Sequence, residues 1–475
     1  MSNRVLRVRA GADKLREGIA GIQQELGVTA AFPAEVLAEA AEAAANPRLP
    51  DTDRTNIPFV TIDPKGSRDL DQALHLERDG PGYVVHYAIA DLNAFVTPGG
   101  ALDREAHRRG QSLYGADSRI PLHPPELSEG AASLLPDQAA PAYLWTVRLD
   151  ADGSQTDARV ERALVRSRRQ LDYEEVQAEV DAGRADGSLA LLEEVGRLRL
   201  HLEAARGGVN LPMPEQVVDC STHPWQLEFR AMLPVEEWNA QISLLTGFAA
   251  AAMMVYARVG ILRTLPAPPA EAVTRLHRTA RALAIDWPAE QTYSDFIRGL
   301  DPREASHEAM VVAATTLLRG AGYAAFDGEI PEQAEHAALA SEYAHVTAPL
   351  RRLVDRYGLE VCRALTAGEE VPDWVREALG ALPDTMQEST RRANAYENAV
   401  VNLVEATTLE ARVGERFAGV VVGARQDDPS RGDAVVREPA IAAPVSASGP
   451  LPIGEDVELV LAEADPATRR VRFAV

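Results

Sequence analysis

The chain has 475 residues, 46% of them hydrophobic, and a formal charge of −23, which is apolar material enough for a large core and length for roughly two to four domains. That acidity excludes a generally basic nucleic-acid coat. It leaves room for a local basic groove, because arginines cluster at 104, 108 and 109, at 162, 166, 168 and 169, at 351, 352 and 356, and at 391 and 392.

Cys220 and Cys362 make no metal-ligand spacing and fit a reducing compartment, so a cytoplasmic protein is expected. There is no signal-peptide pattern and no run of about 18 or more apolar residues, and the most apolar stretch, Leu244 to Val255, reads as too short to span a bilayer.

In chain order, residues 1–50 read as a small helical module, possible in helix-turn-helix form: Leu15 to Leu26 has helical apolar spacing, and Pro33 opens Glu35 to Ala45. From Ile57 to Val96 the pattern is strands. An apolar run ends at Thr61-Ile62-Asp63, an acidic loop follows, and Ala73 to Leu76 and Tyr83 to Ala90 flank a Gly-Pro-Gly turn at residues 80–82. Asp103 to Gln111 starts as a helix with an acidic first turn, and the Pro-rich Leu113 to Ser133 is expected to cross the surface. Tyr143 to Leu149 and Gln155 to Arg168 form a strand pair about an Asp-Ala-Asp-Gly turn. Tyr173 to Ala205 reads as two helices broken near Gly183 to Gly187, residues 209–233 as strands, and Val235 to Thr366 and Trp374 to Arg412 as mostly helix. Short β segments separated by Gly, Pro and Asp fill Phe417 to Val475, a rhythm that suits a five-stranded OB-type barrel, a common single-strand binder, or else a packing appendage.

The acidic loop carries the chemistry. Pro64 and Gly66 cannot continue the strand, so Asp63, Asp69 and Asp71 sit on a turn within nine residues. Two or three hard oxygen ligands with room for water are what Mg²⁺ prefers. The same residues in a Pro/Gly turn can equally cap backbone groups with their charges solvated.

The loop and its flanks resemble the catalytic domain of the ribonuclease II family. The family's Thr-Ile-Asp strand end and Asp-x-Asp-Asp cluster is similar to Thr61-Ile62-Asp63 and Asp69-Leu70-Asp71-Gln72. Its Val-His-Ile-Ala-Asp strand is similar to Tyr87-Ala88-Ile89-Ala90-Asp91, with Ala88 in place of His. Further matches are Leu102 to Ala106, Arg109-Gly110-Gln111-Ser112-Leu113-Tyr114, Ile120-Pro121-Leu122 and Pro125-Glu126-Leu127-Ser128. The signature Tyr-x-His-Phe-Thr-Ser-Pro-Ile-Arg-Arg-Tyr-x-Asp is similar to Tyr343 to Asp355, where His345, Arg351 and Arg352 stand in register. These matches run in the family's order across roughly residues 50–400.

The resemblance implies an RNB-type catalytic domain over residues 51–412 and an OB-fold RNA-binding domain over 413–475, which with the small helical module read over 1–50 makes an α+β chain. It implies a 3′-to-5′ exoribonuclease acting on single-stranded RNA through Mg²⁺, with Mn²⁺ as a substitute. By position, Asp63, Asp69, Asp71 and Gln72 would be the metal group, and Asp71 the least dispensable. Arg351 would stabilise the transition state, Arg352 would meet a neighbouring phosphate or Asp355, Tyr114 would stack on a base, and Glu397 would hold the terminal nucleotide. A monomer with no membrane association and no obligate protein partner is expected. Two departures stand out: Gln72 replaces a fourth carboxylate, which implies weaker binding of one metal, and only residues 1–50 precede the core where better-known members carry two cold-shock-type domains. Two other readings remain, a non-catalytic RNA-binding member and a Mg²⁺-dependent nucleotide phosphohydrolase.

Overall fold

The computed structural model describes residues 13–115, 119–185, 187–211, 213, 215–219, 226–301 and 303–475; Cys220 and parts of the 1–50, 113–133, 183–187 and 209–233 segments lie outside the described residues. Helices α1 (Asp13–Glu25) and α2 (Ala34–Ala45) lead into strands β1 (Phe59–Asp63), β2 (Gln72–Asp79) and β3 (Gly82–Ala90). After α3 (Ala101–Arg109) come a short hairpin, β4 (Leu113–Tyr114) and β5 (Arg119–Ile120), and the long strands β6 (Ala139–Leu149) and β7 (Gln155–Asp172).

Strands β1, β2, β3, β6 and β7 close into a barrel in that order. Closure depends on the length of β7: its first part pairs antiparallel with β6, and its last residues run parallel to β1, Ser167 beside Phe59 and Asp172 beside Asp63. Both faces of the barrel strands are buried, Tyr87 and Trp145 in one cluster, Ala88 and Leu144 in another. This is why β3 reads as a continuous apolar run and not as an alternating one.

Helices α4 (Tyr173–Asp181), α5 (Gly187–Arg206), α6 (Pro234–Ala257) and α10 (Leu353–Ala367) belong to the same core as the barrel. Between α5 and α6 lies the hairpin β8 (Glu215–Asp219) and β9 (Gln226–Arg230). The helical middle expected after Val235 is interrupted: β10 (Val259–Thr264) pairs with β11 (Gly322–Asp327) across the insertion of α7 (Ala270–Ala282), α8 (Tyr293–Arg298) and α9 (Ala305–Ala314). The run Val259 to Leu262 is too short and its partner too distant for a hairpin to be read locally. Two-residue strands β12 (Glu335–His336) and β13 (Ser341–Glu342) then lead to α10 (Leu353–Ala367), α11 (Asp373–Leu379) and α12 (Leu382–Leu409).

By length and composition α6 could cross a bilayer, with a mean hydropathy of 1.5 over its most apolar window, which corrects the reading that this region is too short. Its Val235, Trp238, Ile242, Leu245, Ala249 and Met254 are buried in the protein core. Gly247 is needed for that packing, since a Cβ there would overlap the Tyr343 ring and lie 2.7 Å from the Ala344 carbonyl.

The 113–133 segment also departs from expectation. Its described residues 119–133 are mostly interior, with Ile120, Leu122, His123, Leu127 and Ser128 buried and a π-helical turn at Leu127–Ala131.

The last domain is a second closed barrel, ordered β14 (Arg416–Ala424), β15 (Arg431–Val436), β16 (Ile441–Ser446), β18 (Arg470–Ala474), β17 (Asp456–Asp465), as an OB-type fold requires. The two N-terminal helices enter different cores. Leu15, Ile19 and Ile22 of α1 fill a seam with Val404 of α12 and Phe417 of the second barrel, while Val36 and Ala40 of α2 join Phe59 and Leu127. Each such buried aliphatic side chain contributes about 1.5–3 kcal/mol.

Candidate active site

The acidic loop sits at the end of the first barrel where β1 finishes and β2 begins. Gly66, at φ +83°, turns the chain, and both the amide and the hydroxyl of Ser67 donate to the Pro64 carbonyl at 3.0 and 2.7 Å. Ser133 then fixes the far limb: its hydroxyl accepts from the Leu70 amide at 2.9 Å and donates to the Arg68 carbonyl at 2.6 Å. Local turn chemistry and one distant serine therefore bring the three aspartates near enough for the Asp69 charge to bear on both Asp63 and Asp71, and this acidic end of the barrel forms the candidate recess.

Asp71 is 5% exposed. Its Oδ1 accepts from the Leu350 amide at 2.8 Å, and its Oδ2 lies 3.6 Å from Nε of Arg351. Burial pushes its carboxyl up to about 8, against the opposing pull of Arg351 and the Leu350 N–H, with Asp69 and Asp355 adding to the rise. Asp63 ends β1 with Oδ2 sealed from solvent and without a hydrogen-bond partner. Its carboxyl is raised to about 7, by burial first and by the Asp69 charge second.

Asp69 is held by an arginine that the sequence did not bring forward. Arg119 ion-pairs with it closely and reaches Glu129 at 2.6 Å with its other amine. Arg119 stands across the β4–β5 hairpin from Tyr114, so the only local signal was their shared hairpin.

Across the recess runs the segment Thr347–Arg352. Asp355 organises it, accepting from the Ala348 amide at 2.7 Å and taking both Nε and a terminal amine of Arg352 at 2.9 Å. Of the two partners expected for Arg352, this fork goes to Asp355, and the residue holds the loop. Arg351 keeps a side chain 45% exposed. Tyr114 is 39% exposed and near enough to Arg351, Asp69, Asp71 and Arg119 for all four charges to bear on its hydroxyl.

Two expectations shift. Gln72 has both ends of its amide engaged, Oε1 by the Tyr87 hydroxyl at 2.6 Å and Nε2 by the Thr347 carbonyl at 2.6 Å, so it is not presented as a free metal ligand. Glu397 lies half-buried on α12, the helix that packs on the Tyr114 hairpin, with its carboxyl raised to about 7 by burial.

Among the described residues no three acids form a ready metal cage. The recess nonetheless fits a divalent cation. Two buried carboxyls are pushed towards neutrality for want of positive charge, and one buried oxygen has no donor. Asp63, Asp69 and Asp71 supply the hard oxygen donors that Mg²⁺ takes.

A closed barrel flanked by α5, α6 and α10, carrying an acidic loop against an arginine segment and followed by an OB-type barrel, defines an RNB-type architecture. Residues 51–365 match the RNB domain and residues 415–475 the RNase II-type exonuclease C-terminal S1 domain. The chain belongs to the RNB-domain family.

It is similar to Ribonuclease R of Escherichia coli (strain K12), 26% identical over 397 residues, covering 78% of this chain and 48% of the relative. It is also similar to exosome complex exonuclease RRP44 of Homo sapiens, 27% identical over 321 residues, covering 64% of this chain and 33% of the relative. The chain thus spans about half the length, or less, of these relatives. In fold it resembles Mycoplasma genitalium RNase R in complex with ribose methylated single-stranded RNA, with a TM-score of 0.85 at 19% identity, covering 98% of this chain and 78% of that one. It also resembles yeast Ssd1, a pseudonuclease, with a TM-score of 0.71 at 15% identity, covering 91% and 55%.

Proposed function

We propose that this chain is a 3′-to-5′ exoribonuclease that hydrolyses single-stranded RNA to 5′-mononucleotides, with Mg²⁺, or Mn²⁺ in its place, held by Asp63, Asp69 and Asp71. One observation carries the reading: Asp69 bears on both buried carboxyls, Asp63 and Asp71, and Arg351 stands 3.6 Å from Asp71. Held by Asp63, Asp69 and Asp71, a divalent ion would supply Lewis-acid chemistry for phosphodiester hydrolysis. The chain's own groups do the rest. Arg351 presents a planar guanidinium to the phosphate oxygens, Asp355 locks Arg352 so that Arg351 is aimed, and the exposed Tyr114 ring offers a face for a base near the 3′ end. Glu397 would orient the terminal nucleotide. A monomer working in the cytoplasm completes the proposal.

A second reading, an RNA-binding member without catalysis, is favoured by the uncharged Gln72 and by the likeness to Ssd1. A 5′-labelled single-stranded RNA separates the two. A ladder shortening from the 3′ end, lost with chelator and with Asp71→Asn, supports the nuclease; retention without shortening supports the binder.

A further inference from the structure

Gln72 opens β2 and stands diagonally across the sheet from Tyr87 on β3, since Gln72 pairs with Ile89 and Leu74 with Tyr87. Side chains in that relation share a face and reach each other. The Tyr87 hydroxyl donates to Gln72 Oε1 at 2.6 Å, and Gln72 Nε2 donates to the Thr347 carbonyl at 2.6 Å. A carbonyl oxygen can only accept, so the amide nitrogen must face Thr347 and the amide oxygen must face Tyr87. Ser243 of α6 braces the same segment, its Oγ lying 2.9 Å from Oγ1 of Thr347. Tyr87 and Thr347 are both buried. One residue earlier, Asp71 accepts from the Leu350 amide at 2.8 Å. Consecutive residues of the acidic strand therefore grip the Thr347–Arg351 segment at both its start and its end.

We propose that Gln72 is a positioning residue and not a metal ligand: its amide ties Tyr87 to the Thr347 carbonyl and so sets the distance at which Arg351 is presented to Asp71. The proposal rests on the nuclease reading for its catalytic consequence, but the tie itself does not. An amide is the one side chain of this size that can accept at one end and donate at the other. An ionised glutamate has the same shape and would set a second acceptor against the Thr347 carbonyl, which leaves that buried carbonyl unpaired and pushes the segment away, so the comparison is made at a pH where residue 72 is ionised. A metal-ligand role predicts the reverse, because a carboxylate at residue 72 would bind a divalent cation more tightly than the amide does.

The test compares Gln72→Glu, Gln72→Leu and Tyr87→Phe with the wild type in three measurements: hydrogen exchange at the Leu350 amide, Mn²⁺ affinity by electron paramagnetic resonance, and steady-state cleavage of single-stranded RNA. The tie requires Leu350 exchange at least tenfold faster in both Gln72 variants and a smaller acceleration in Tyr87→Phe. It also requires Mn²⁺ affinity within about twofold of wild type in Gln72→Leu, and kcat down tenfold or more with KM for RNA within threefold. Unchanged Leu350 exchange overturns it, as does a tenfold loss of Mn²⁺ affinity in Gln72→Leu or a tenfold gain in Gln72→Glu. If the wild type cleaves no RNA, the nuclease reading fails on its own, and the exchange measurement still decides what Gln72 does.

Discussion

Replacing Asp71 with Asn should stabilise the metal-free protein while abolishing cleavage, because one carboxylate is both the most buried of the three aspartates and, in the proposed reading, the central ligand. A rise of the Asp71 carboxyl from 3.8 to about 8 corresponds to roughly 5–6 kcal/mol of preference for the neutral form, at about 1.4 kcal/mol per tenfold step. Relaxation and water entry reduce such figures, and the lost attraction to the half-exposed Arg351 offsets a little more, which leaves about 2 kcal/mol at pH 8. Asn keeps the hydrogen bond from the Leu350 amide, since its oxygen accepts as Oδ1 does now. Differential scanning calorimetry in chelator at pH 8 should place the Asp71→Asn midpoint about 2–4 °C above wild type. With millimolar Mg²⁺ the order should invert, because only the wild type gains binding energy. Loss of the ligand should lower kcat at least about 10³-fold, equivalent to some 4 kcal/mol of transition-state stabilisation. A lower midpoint for the variant in chelator, or retained cleavage, would refute the claim that Asp71 is a strained buried ligand.

Three further outcomes follow from the same recess. Asp63 and Asp71 hold protons in the folded protein that the unfolded chain has released, so metal-free stability should fall as pH rises from about 4 to 8, most steeply between about 5 and 6 and less so above 7; thermal midpoints across that range check it, and a rise over the window contradicts it. Arg119→Gln frees Asp69 from its ion pair and should strengthen Mn²⁺ binding severalfold in a paramagnetic-resonance titration while lowering the thermal midpoint; weaker binding would show that Arg119 builds the site and does not compete for it. Tyr114→Ala removes the exposed ring and should weaken binding of a short single-stranded RNA by roughly 1–3 kcal/mol, with longer end products on a sequencing gel; unchanged products would assign the ring to packing.

The acidic loop was legible because its information is local: a strand, a Pro/Gly turn and three aspartates within nine residues. The C-terminal barrel was legible for the same reason, as short β segments punctuated by turns. What was hidden depends on pairs far apart in the chain. Arg119 meets Asp69 across fifty positions, Ser133 anchors Leu70 across more than sixty, and neither residue type signals its partner. Strand β10 finds β11 only after a helical insertion, and the prolines of the 113–133 segment read as surface turns when they guide the chain past buried Leu122 and Leu127. For Gln72, the sequence showed a missing charge, and only coordinates could show that the amide already had two employers.

The seating of α1 bears on how the protein is made. Leu15, Ile19 and Ile22 leave the ribosome well before the surfaces that cover them, which belong to α12 and the second barrel. The Arg469–Glu25 ion pair and the Gln23–Tyr396 hydrogen bond join the same distant regions. The nascent chain therefore carries α1 without its partner surface until those later elements have been made, and docking of that helix reports their arrival.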